Sequence, residues 1–107
     1  MVEKKNIFEN ILQYSDKEIF ENIILNGNLK IERIISYPNS TQDNIWYDQP
    51  QDEWVILLQG SATLELEDEK LLNLNPGDYL FLPSHTKHKV RETNKEEPTI
   101  WLAIHYK

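Results

Sequence analysis

From Leu29 onward the apolar residues come in short runs, and each run is closed by a residue that interrupts regular structure. LKIERIISY is stopped by Pro38-Asn39-Ser40, EWVILLQ by Gly60, LLNL by Asn75-Pro76-Gly77-Asp78 and YLFL by Pro83. Such runs are too short for the roughly ten residues a packed helix needs, and they are rich in β-branched and aromatic side chains. Several alternate. Leu64 and Leu66 stand against Thr63, Glu65 and Glu67, and Ile31, Arg33 and Ile35 stand against Glu32 and Ile34. A period of two means a strand with two unlike faces. Turn signals recur about every eight to twelve residues, which predicts seven or eight short strands in a sandwich or barrel. No strand–helix–strand alternation is present, so a doubly wound parallel sheet is excluded.

The first 28 residues read differently. Ile7, Phe8, Ile11 and Leu12 form an apolar arm. Ser15 and Glu18 have the spacing of a capping box, and Ile19, Phe20, Ile23 and Ile24 follow at helical spacing up to Asn26-Gly27. The expectation is one short helix at about 16–25, an arm-plus-helix segment over 1–28 and a β-barrel over 29–107, within a single domain. This segment carries more apolar residues than one short helix can use, and an open sheet edge invites pairing. A homodimer built on the N-terminal segment is expected.

Composition narrows the partners. The 107 residues carry a formal net charge of −7, which repels phosphate backbones and anionic headgroups, so neither nucleic acid nor a membrane is expected as a partner. There is no Cys, which removes disulfides, thiolate metal sites and Cys nucleophiles. No run approaches the roughly 18 apolar residues of a membrane helix, and MVEKKNIFENIL lacks the apolar stretch of a signal peptide. A cytoplasmic protein is the default expectation.

Two segments resemble the paired motifs of the cupin superfamily. The first ends Glu53-WVILLQ-Gly60, and the second runs Gly77-DYLFL-Pro83-Ser84-His85-Thr86-Lys87-His88, with His85 where glycine is usual. The resemblance covers about 43–91 and implies an all-β, cupin-type jelly-roll barrel with a pocket at its mouth. It also implies a divalent metal ion, of unspecified identity, held by Glu53 and His88. The His-x-His pair that normally precedes the Glu is absent: Tyr47 and Gln49 occupy those positions in the register that places Pro50 after them, and Trp46 and Asp48 in the other.

The residues themselves leave alternatives open. An inward-facing Glu53 must be paired, metal-bound or protonated. His88 is a metal ligand or a hydrogen-bonded cavity histidine. His105 shares a strand face with Ala103 and Trp101, so it either completes a ligand set with Gln49 or acts as a general base, unless it is simply a surface residue near the chain end. Tyr47 is the other candidate for moving protons. His85 reads as a solvated turn residue. Trp46, Trp54 and Trp101 are either a pocket wall or core, with core preferred for at least two. The segments 65–69 and 94–97 read as solvated hairpin tips. Two functions remain: a metal site acting on or binding a small molecule, or a metal-free pocket that binds or senses a small molecule without catalysis.

Overall fold

The structure, a computed structural model, describes residues 1–40 and 45–107. The polar stretch TQDN that the sequence places between two strands lies outside the described residues. The described residues form eight strands: β1 (Ile19–Asn26), β2 (Leu29–Ser36), β3 (Asp52–Gln59), β4 (Ala62–Leu66), β5 (Leu71–Leu74), β6 (Tyr79–Leu82), β7 (His88–Thr93) and β8 (Thr99–Tyr106). They form two antiparallel sheets, ordered β1-β2-β8-β3-β6 and β5-β4-β7, that face each other as a jelly-roll barrel. Among the described residues no helix is long and apolar enough to cross a membrane.

Alternation along the strands decides what lies between the sheets. Val55 and Leu57 of β3, Ala62 and Leu64 of β4, and Trp101 and Ala103 of β8 belong to one buried cluster. Burying the Val and Leu side chains among them stabilises the fold by about 1.5–3 kcal/mol each. On β2 both faces are covered. Arg33 is buried because the N-terminal arm crosses it: its guanidinium donates to the carbonyl oxygens of Ile7 and Glu9 at 2.9 and 2.7 Å and pairs with Glu21 at 2.6 Å. The fully buried Tyr37 donates its hydroxyl to the Leu12 carbonyl at 2.8 Å, which fixes the arm further along.

The helix expected at about 16–25 is instead strand β1. Residues 26–29 explain the difference. Asn26 pairs with Leu29 across a two-residue loop that begins with Gly27 at φ 58°, the conformation a hairpin turn requires at that position. The Asn-Gly pair read as a helix end is therefore a hairpin tip. An isolated helix of ten residues is marginal in water, whereas β1 gains seven registered partners along the edge of β2. Ser15 makes only local bonds to the backbone of Lys17, and Glu18 accepts from Ser36 Oγ at 2.6 Å rather than closing a capping box. Phe20, Ile23, Ile24 and Leu25 stay exposed along this outer strand.

Gly60 joins β3 to β4 where the first motif ends. Its φ is 90°, and a Cβ there would meet Thr99 Oγ1 at 2.5 Å and Thr99 Cα at 2.9 Å. Glycine is required both by the backbone conformation and by the closeness of β8. At Gly27 a Cβ would meet nothing within 4 Å. Gly60→Ala should therefore cost about 3 kcal/mol or more, and Gly27→Ala about 1 kcal/mol. Denaturant midpoints of the two variants check this; equal losses would contradict the packing role given to Gly60.

Candidate functional site

The antiparallel register lays polar residues across the inner face of the larger sheet in rows. Lys30 pairs with His105, His105 with Glu53, and Glu53 with Leu82. In the next row Glu32 lies opposite Ala103, and Ala103 opposite Val55. Glu32 is thus diagonal to His105, within side-chain reach. From the smaller sheet His88, the first residue of β7, faces this surface. The space between is a cavity of about 390 Å³, lined by all five sequence candidates: Tyr47, Gln49, Glu53, His88 and His105.

Glu53 and His88 meet at the centre of the cavity. Both are buried, with His88 Nε2 3.8 Å from Glu53 Oε1. Gln49 donates to the same oxygen at 2.6 Å. His88 Nδ1 lies 2.8 Å from the Thr86 carbonyl, and a carbonyl only accepts, so Nδ1 carries a proton and, in the neutral ring, Nε2 keeps its lone pair. Tyr47 is held beside His88 by backbone bonds in both directions, 2.7 and 3.1 Å, and its ring stacks on the imidazole with centroids 5.7 Å apart.

His105 is committed elsewhere. Its Nε2 lies 2.8 Å from Glu32 Oε1, both side chains being buried, while its Nδ1 is buried without a hydrogen-bond partner among the described residues. Lys30 Nζ stands 3.8 Å from the other oxygen of Glu32. A third carboxyl, Glu18, reaches the cavity from just before β1. Burial raises its pKa above the usual 4.5, against the opposing pull of the Ser36 hydroxyl and of Tyr47. Burial first, and then the neighbouring Glu18, pushes the Tyr47 phenol up to about 12, so at neutral pH Tyr47 donates a hydrogen bond rather than accepting as a phenolate.

Of the remaining sequence candidates, His85, Trp46 and Trp54 lie outside the cavity. His85 is exposed, 2.8 Å from Asp48 Oδ1, with φ at 60°, a left-handed position that explains why glycine is usual there. Of the three tryptophans only Trp101 is core, and it also lines the cavity; its indole donates to Ser36 Oγ at 3.2 Å. Trp46 is exposed with the Lys89 ammonium 4.9 Å from its ring, and Trp54 packs on Tyr79. Core was expected for at least two of these tryptophans. Glu18 and Glu32 were not foreseen as pocket residues. Glu18 had been absorbed by the capping box; Glu32 sat in a run whose apolar neighbours lie on both faces, and that is the signal of a doubly covered strand.

A resident transition metal needs about three or four converging protein donors. Here one carboxylate and one imidazole meet, joined by an amide, and the second imidazole is turned to Glu32. Among the described residues no three of His, Asp and Glu form a group that could hold an ion. These residues do not fit a tightly held metal.

A family profile described as the cupin domain matches residues 34–105. No curated protein matches the sequence. Among solved structures, a Ralstonia eutropha protein provisionally named a mannose-6-phosphate isomerase is 42% identical, with a TM-score of 0.92 and 98% of each chain covered. A cupin superfamily protein from Desulfitobacterium hafniense is 17% identical, with a TM-score of 0.74 over 90% of this chain and 83% of that one. A cupin family protein with a double-stranded β-helix fold from Methanocaldococcus jannaschii is also 17% identical, with a TM-score of 0.74 over 99% and 92%. These last two share the fold alone.

The raised pKa of Glu18 has a direct consequence for stability. The folded state holds this proton more tightly than the unfolded chain does, so the associated stability is fully present below the unfolded value and is lost as pH rises through the folded one. Glu18→Gln removes that loss and keeps an acceptor for Ser36. Its melting temperature relative to wild type should rise from pH 4 to pH 7.5. A difference independent of pH would show that the burial of Glu18 carries no such cost.

Proposed function

The chain belongs to the cupin family, and we propose that its barrel pocket binds a small polar molecule without a tightly held metal. The observation that carries this reading is that, among the described residues, no three of His, Asp and Glu come together as a group that could hold an ion. What is left is a preformed cavity of about 390 Å³, within the range of small-molecule sites, with apolar walls and a few placed polar groups.

A second reading keeps the same pocket and adds proton transfer. It is favoured by a buried histidine backed by a carboxylate, the arrangement that fixes an imidazole tautomer for use as a base. His105 would be the base and Tyr47, protonated at neutral pH, the acid. The provisional isomerase name of the 42% identical relative agrees with such chemistry.

A divalent metal on Glu53 and His88, with Gln49 or His105 completing the set, is the competing outcome. Calorimetric titration of untagged protein with zinc and manganese decides between them. The proposal expects no binding tighter than about 0.1 mM. Tight binding by wild type that is lost in both Glu53→Gln and His88→Ala would overturn it.

A further inference from the structure

Resting on the reading of the cavity as a binding pocket, we propose that its ligand is a small organic cation, carrying an ammonium or guanidinium group, and not a phosphorylated sugar. The hydrogen-bonding state of the two buried histidines is the starting point. His88 gives its Nδ1 proton to the Thr86 carbonyl, and His105 gives its Nε2 proton to the Glu32 carboxylate, at 2.8 Å each. In the neutral form of each ring the nitrogen left over is therefore an acceptor. His105 Nδ1 is buried with no partner among the described residues, and buried polar atoms without partners are rare in folded proteins. A ligand N–H is the kind of group that would satisfy it.

The carboxyls point the same way. Glu18, Glu32 and Glu53 all line the cavity. Glu18 already accepts from Ser36, and Glu53 from Gln49. Each carboxyl has further lone pairs that only a donor can use. Against them, among the described residues lining the cavity, Lys30 is the one Lys or Arg. Its side chain is 37% exposed and its ammonium already faces Glu32 at 3.8 Å. A phosphate entering here would be desolvated beside carboxylates with no guanidinium or uncommitted ammonium to receive it. A cation meets the reverse situation: carboxylate and imidazole acceptors line the cavity together with the aromatic residues Phe20, Tyr47 and Trp101, and aromatic faces attract positive charge.

A matched series of probes tests this. In protein labelled with ¹⁵N-histidine, the imidazole signals of His88 and His105 are followed during titration with butylammonium, butanol, butyl phosphate and mannose 6-phosphate. The exposed His85 serves as an internal control. Butylammonium should shift both pocket signals at a concentration about tenfold below that needed for butanol, while the two phosphates leave them in place. Glu32→Gln and Glu53→Gln, with His85 unchanged as a sign of intact fold, should each weaken the amine about tenfold. Phosphates acting as strongly as the amine would overturn the ligand class and leave the pocket reading standing. An amine affinity unchanged in both variants would do the same. If no probe moves either imidazole, the ligand class and the pocket reading both fall.

Discussion

The chemistry of this barrel turns on the buried contact between Glu32 and His105. A carboxylate and an imidazole enclosed in a protein interior lose their water and must be repaid by one another. At 2.8 Å they are, through a hydrogen bond that also fixes which ring nitrogen carries the proton. Leaving either group buried without its partner would cost about 1–3 kcal/mol. The pair holds His105 as one part of the pocket lining, with Nδ1 as its remaining nitrogen. It leaves Glu53 and His88 as a separate pair 3.8 Å apart, with Gln49 donating to the Glu53 carboxylate at 2.6 Å.

Sheet register makes this arrangement possible. His105 sits between Lys30 and Glu53 in one row, and Glu32 lies one row along, so the strand order β2-β8-β3 brings three charged or titratable residues around one imidazole. A slip of one residue would send all of them to the opposite face. Register is held by the inward row of Ile34, Trp101 and Leu57 and by the close approach of Gly60 to Thr99. On the outer face the arm bonds Arg33 and Tyr37 and covers β2. Packing on both faces of the sheet thus fixes the position of the polar groups within it.

Much of this was legible in the sequence, for reasons that differ by residue. The barrel could be read because its turns use Gly60, Asn75-Pro76-Gly77 and Pro83, whose backbone preferences are local. The inward direction of Glu53, His88 and His105 could be read because a strand has a period of two and their neighbours Val55, Val90 and Ala103 are apolar. The fate of residues 16–25 could not. Ile19, Phe20, Ile23 and Ile24 suit a helix face and a strand equally, and only the pairing with β2, a tertiary fact, decides. Glu32 was invisible for a related reason. Its role depends on a partner 73 residues away, and no local pattern marks a strand glutamate as inward when both faces are covered. The pairing of His105 with Glu32 rather than with Glu53, its neighbour in the row, is likewise decided by side-chain geometry across three strands.

Long-range ¹H–¹⁵N correlation of the histidine side chains in the ligand-free protein reads the proton positions directly. The account predicts that at neutral pH His105 carries its proton on Nε2 and has a bare Nδ1, that His88 shows the opposite tautomer, and that Glu32→Gln disturbs His105 while leaving His88 as it was. A His105 protonated at Nδ1 in the wild type, or one indifferent to Glu32→Gln, would contradict the pairing from which the rest is built.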